Sequence, residues 1–153
     1  MNIEYFFETL LISLNFVIFI LVCIYDGKYR ITPNRLCKVA LVTNVAIALI
    51  NGHLSYSITI MFITFIILIV LWFLGVFGAG DVKLLCSLIL GIHPSLVTLT
   101  LVTIGMFGGI QLIIMFILSR WNEKCALTKG IPYGIPIASS CFLFSTMSIY
   151  LFS

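Results

Sequence analysis

The stretch FGAGDVKLLCSLILG, Phe77 to Gly91, decides the fold. An aspartate, Asp81, follows two glycines and opens a short apolar run. The surrounding chain is 62% hydrophobic and 8% charged. A soluble domain of 153 residues cannot hide that much apolar surface, so the solvent is mostly lipid. As a helix, Val82–Ile92 covers about 16 Å of a ~30 Å hydrocarbon core. Either it is tucked among other helices or its start at Asp81 lies well below the membrane surface. Both put Asp81 at membrane depth, in a recess open to the cytoplasm. Irregular backbone such as Gly78-Ala79-Gly80 is tolerated there when protein or water covers it.

Outward from this stretch, polar residues and Gly/Pro punctuation cut the chain into six apolar segments. They are Tyr5–Tyr25, Leu36–Ile50, Tyr56–Phe77, Val82–Ile92, Leu96–Ser119 and Ile135–Phe152. The expected fold is an all-α integral membrane protein, a bundle of about six transmembrane helices in a single embedded domain over residues 1–153. Glu4 and Glu8 stand where a secretory signal would carry basic residues, and no small-x-small cleavage site follows, so the first segment reads as a retained helix. All eight Lys and Arg fall in or beside the first, third and fifth connections. By the positive-inside rule these connections face the cytoplasm, and both termini and the connections around His53 and His93 face outside. A net charge of +3 gives nucleic-acid binding no support. The five cysteines form no C-x-x-C pair and read as small buried apolar residues rather than zinc or disulfide ligands. No metal site is expected at the two histidines.

The second aspartate, Asp26, lies in CIYDGKYRITPN, where the first helix ends. A loop acid near lysines, or a helix cap at Asp81, would be the bland explanation. Two ionisable groups at membrane depth point further, because such groups are costly there. A carboxylate pair can do general acid–base work on a water: like charges a few ångströms apart do not both ionise, so one acid keeps a proton while the other activates water. Helix ends suggest Asp81 as base and Asp26 as acid. Gly78 and Gly80 can take positive φ and admit a second backbone. Pro33 blocks helix continuation, and Asn34 is a suitable N-cap for the second helix. KGIPYGIPIA, Lys129–Ala138, reads as a kinked helix start or a non-helical wall of the same recess. Gly105-Met-Phe-Gly-Gly109 reads as helix packing, and Asn44 and Gln111 as interhelical hydrogen bonds.

GAGDVKLL resembles the G-x-G-D motif of type IV prepilin peptidases and their archaeal preflagellin relatives, and more distantly that of presenilin-type proteases. Asp26 with Lys28, Arg30 and Pro33-Asn34 resembles the family's first aspartate motif, and IPYGIPIA its C-terminal stretch. The three motifs come in the family's order. The resemblance implies a GxGD-fold membrane aspartic endopeptidase in the inner membrane, acting in pilus biogenesis. It would remove the basic leader of prepilin-like membrane substrates at the cytoplasmic side, with Asp26 and Asp81 catalytic and no metal or organic cofactor. Gly78, Gly80, Lys83, Pro33, Asn34, Pro132, Tyr133, Gly134 and Pro136 would support the substrate cleft. Thr32 departs from the isoleucine or valine usual before the proline. A cytoplasmic domain with paired C-x-x-C motifs, present in long members that also N-methylate the product, has no counterpart here. The expectation is therefore a short, peptidase-only form, as found with tight-adherence (Flp-type) pili, without N-methyltransferase activity. A small transporter or channel subunit, with the aspartates as proton or cation sites, is the competing reading. The three-motif order and the lack of inverted repeats speak against it.

Overall fold

The computed structural model describes residues 3–75, 77–121 and 132–152. They form six helices: α1 (Ile3–Tyr29), α2 (Asn34–Ile50), α3 (Leu54–Phe73), α4 (Ala79–Ile89), α5 (Pro94–Trp121) and α6 (Gly134–Phe152). There is no strand among the described residues, and the protein is all-α. Over Tyr5–Tyr29, Leu54–Phe73, Pro94–Leu118 and Gly134–Phe152, four helices are long and apolar enough to cross a membrane. The apolar side chains on their outer faces, among them Phe62, Ile66, Ile113 and Phe116, are exposed. That is the pattern of a bundle bathed in hydrocarbon.

The 11-residue α4 is the short element, and it is the hub. It packs against α2, α3 and α6. Leu84, Leu85, Leu88 and Ile89 are all buried and join one core with Ile18 and Val22 of α1, Ala40 of α2 and Ile137 of α6. Of the two explanations for its length, being tucked among the others is the one observed. A helix wrapped by protein need not match the bilayer thickness.

Polar side chains pin the long helices deep in the bundle. Asn15 of α1 and Asn44 of α2 exchange amide hydrogen bonds at 3.3 Å, and Asn15 also donates to Ser145 Oγ of α6 at 3.0 Å. All three are buried, and an amide in an apolar interior must be paired. Asn44 is thus the expected interhelical bond. Its partner Asn15 went unread, although it is the lone amide of the first apolar run. Gly91 lies against Asn44 so closely that a Cβ would collide with the amide.

Helix ends follow from backbone chemistry. α2 stops in a Schellman motif: the N–H of Gly52 donates to the Leu49 carbonyl, the N–H of His53 to that of Ala48, and Gly52 has φ +69°. α3 ends four residues before Phe77, where the expected segment stopped, because Gly75 takes φ +73° and turns the chain out of the helix. α2 begins at Asn34 itself, with Pro33 in the N-cap position and no side-chain cap bond. Asn34 is therefore not the cap. Proline's fixed φ, −62° here, starts the helix by geometry alone.

Candidate active site

The described residues of the three odd-numbered connections converge at one end of the bundle. Lys83 Nζ of α4 donates to Asn34 Oδ1 at the start of α2, 3.4 Å away. Thr32, in the α1–α2 connection, lies against Gly80. Phe77, before α4, stacks on Tyr133, before α6, with ring centroids 5.3 Å apart. The even connections meet at the other end: the rings of His53 and His93 are 5.4 Å apart, and His93 stacks on Phe152 at 3.7 Å. Each imidazole shares a hydrogen bond with a serine hydroxyl, Ser57 for His53 and Ser95 for His93. The histidine pairing is tertiary and left no trace in the sequence. No group of three or more metal-ligating side chains occurs among the described residues.

Asp26 sits in the last turn of α1 and is buried. Its carboxyl group rests on the first turn of α6. Its Oδ2 is buried without a hydrogen-bond partner. The closeness depends on glycine: a Cβ on Gly134 would stand 2.8 Å from Asp26 Oδ2 and 2.9 Å from its Cγ. Immediately beyond, the chain leaves α1 through Arg30, which has φ 56°. A left-handed arginine is costly, on the order of 1–2 kcal/mol, and it swings the backbone into Ile31-Thr32-Pro33. Sequence reading gave Arg30 no such role, since glycine is the usual signal for this turn.

Asp81 is half-buried in the first turn of α4. The helix starts at Ala79 with Gly78 as N-cap, so Asp81 is the third helical residue. Its carboxylate folds back against Gly78. A Cβ on Gly78 would lie 3.0 Å from Asp81 Oδ2. The expected positive φ is not used at either glycine of the motif. Gly78 is extended, φ −75° and ψ 145°, and Gly80 is helical. What comes close is the Asp81 carboxylate at Gly78 and, at Gly80, Thr32, whose Cβ lies 3.6 Å and whose backbone N lies 4.0 Å from a Cβ placed there.

Each acid lies beside a glycine at the start of a helix, Asp26 at Gly134 of α6 and Asp81 at Gly78 before α4. Each faces the positive N-terminal end of a helix, α6 for Asp26 and α4 for Asp81. Helix ends therefore do not separate a base from an acid, because the contribution of α6 offsets that of the α1 C-terminus. Gln111 of α5 donates to the Pro132 carbonyl at 2.8 Å and so holds the turn that presents Gly134. Pro136 is fully buried inside α6, and Pro132 precedes the helix, which answers how both prolines are accommodated. Gly105 and Gly109 meet no side chain within 4 Å, and Gly108 instead makes room for Tyr133. Among the described residues these glycines line a cavity shared with Thr64, Leu68 and Leu71 of α3. Lys124, Cys125 and Lys129, in the fifth connection, lie outside the described residues.

No curated protein and no solved structure matches the chain. The model of the type IV leader peptidase family matches residues 13–121, a span that contains Asp26, Pro33, Asn34, Gly78, Gly80, Asp81 and Lys83. Over most of its length the sequence carries that pattern, and the protein belongs to the type IV leader peptidase family.

Proposed function

We propose that the protein is a membrane aspartic endopeptidase that removes the leader from type IV prepilin-like precursors at the cytoplasmic side of the membrane, with Asp26 and Asp81 as its catalytic pair. The observation that carries this reading is the convergence of the two acids: they come from distant motifs, share one end of the bundle, and each rests on a glycine. A precursor offers a basic leader followed by an apolar helix that lies in the membrane. Acids near the boundary meet the junction between the two.

The chemistry follows from the pair. Two neighbouring carboxyl groups of like charge share a proton. The ionised one takes a proton from a water, and the water oxygen attacks the scissile carbonyl. The protonated acid donates to the oxyanion of the tetrahedral intermediate, and the proton taken from water goes to the departing amine. Oδ2 of Asp26, buried and without a hydrogen-bond partner, is the oxygen left for that traffic. Neither acid is assigned a fixed role, since a coupled pair titrates as a unit. The four connections among α1–α5 are each three to five residues long, which favours a peptidase-only form. The mature product is accordingly expected with an unmethylated amino terminus, read by mass spectrometry in a host without a second prepilin enzyme.

Asp26→Asn and Asp81→Asn test the reading. Each is expected to abolish cleavage of a co-expressed precursor while the variant accumulates in the membrane at the wild-type level. Near-normal cleavage by either variant would remove the dyad. Loss of an ion flux with no accumulating precursor would favour a transporter instead.

A further inference from the structure

We propose that the groove between α2, α3 and α4 binds an anionic phospholipid, with its headgroup phosphate held by Lys38 and Lys83. The groove has a volume of about 780 Å³ and is open on one side. Leu41 and Val42 of α2 and Phe62 and Phe65 of α3 line it and give it an apolar depth suited to an acyl chain. Lys38 and Lys83, each on the second turn of its helix, α2 and α4, also line it.

Three features separate this arrangement from lysines that merely reach for water. Both lysines line the same groove, although they come from different helices. Lys83 crosses the mouth to Asn34 Oδ1 rather than extending away from it. Among the described residues neither lysine has a carboxylate partner within ion-pair distance, so both positive charges are available to an outside anion. Basic pockets between membrane helices select anionic headgroups in this way. The lining favours a lipid over the enzyme's own substrate: under the function proposed above, the charged part of the precursor is a basic leader, which two lysines would repel. The assignment itself rests on the groove and stands whether or not the aspartates cut a precursor.

The test is to reconstitute the purified full chain in vesicles of equal parts phosphatidylcholine and phosphatidylglycerol, release it into detergent, and identify retained lipid by native mass spectrometry. The wild type is expected to carry phosphatidylglycerol in preference to phosphatidylcholine. Lys38→Gln and Lys83→Gln should each reduce the retained fraction about fivefold, and the double variant should abolish the preference. Lys28→Gln, which removes a charge that lies over the Tyr29 ring outside the groove, should keep it. Val42→Trp should expel the lipid by filling the groove while both lysines remain. Circular dichroism of each variant confirms that the helices are intact. No preference in the wild type, or equal retention by the double lysine variant, would overturn the proposal. Stoichiometric displacement of the lipid by a synthetic precursor peptide would also overturn it, making the groove the seat of the substrate helix.

Discussion

Gly134 and Gly78 lack a side chain at the points where the two aspartates come to rest, and the room they leave differs by a few tenths of an ångström. A Cβ on Gly134 would press on Asp26 Oδ2 at 2.8 Å, one on Gly78 on Asp81 Oδ2 at 3.0 Å, and one on Gly80 would touch Thr32 at an ordinary 3.6 Å. This ordering is a prediction about activity. Gly134→Ala must move the Asp26 carboxyl group, and displacements near 1 Å cost about 100-fold in rate. Gly78→Ala should cost on the order of tenfold by a smaller displacement, and Gly80→Ala should cleave nearly as well as the wild type. Initial rates on a detergent-solubilised precursor give the ranking. Gly80→Ala as the most damaging of the three would mean that the motif glycines serve a substrate strand rather than the acids. The two glycines before Asp81 were legible as a place of close approach. That Gly134 serves Asp26 was not, because it depends on how α6 docks beside α1.

At the scale of elements, α4 departs most from what a membrane helix needs, and its burial explains how it persists. Leu84 is fully enclosed, whereas Ile113 on α5 is exposed to lipid. Leu84→Ala should destabilise the protein by about 2–5 kcal/mol through lost packing and a residual cavity. Ile113→Ala should fall within about 0.5 kcal/mol of the wild type. Denaturant titration in mixed micelles distinguishes them, and equal effects would contradict α4 as the structural hub. Gln111 gives a second test at this scale, since its bond to the Pro132 carbonyl fixes the entry to α6. Gln111→Leu leaves that carbonyl without its partner, at about 1–3 kcal/mol if it stays dry. It should slow cleavage more than it lowers the protein's level in the membrane. Undiminished cleavage would show that the α6 entry holds its place without α5.

Across the whole molecule, the two ends differ in chemistry. One end gathers both acids, Lys38 and Lys83, and the Phe77–Tyr133 stack. The other gathers the His53–His93 pair and Phe152. If the basic end faces the cytoplasm, a cysteine at position 55 in a cysteine-free background should react with an impermeant maleimide added outside. One at position 124 should be spared until the membrane is opened. The reverse pattern would place the acids on the far side from a newly made precursor and end the leader-cleavage mechanism.

Composition, the spacing of polar breaks and the distribution of lysine and arginine determined the membrane class, the number of helices and the sorting of connections into two sets. These are local or additive properties: transfer of side chains to lipid, helix termination at Gly and Pro, and charge beside a span each act within a few residues. The two aspartates were legible for the same reason, as costly groups at segment ends. Only the tertiary structure decided that Asp26 rests on Gly134, that Asn15 pairs with Asn44, that the two histidines meet, and that Gly108 makes room for Tyr133. Each depends on the rotation and depth at which one helix packs on another. Those are set by summed side-chain packing across the bundle, to which residues far apart in the chain contribute together.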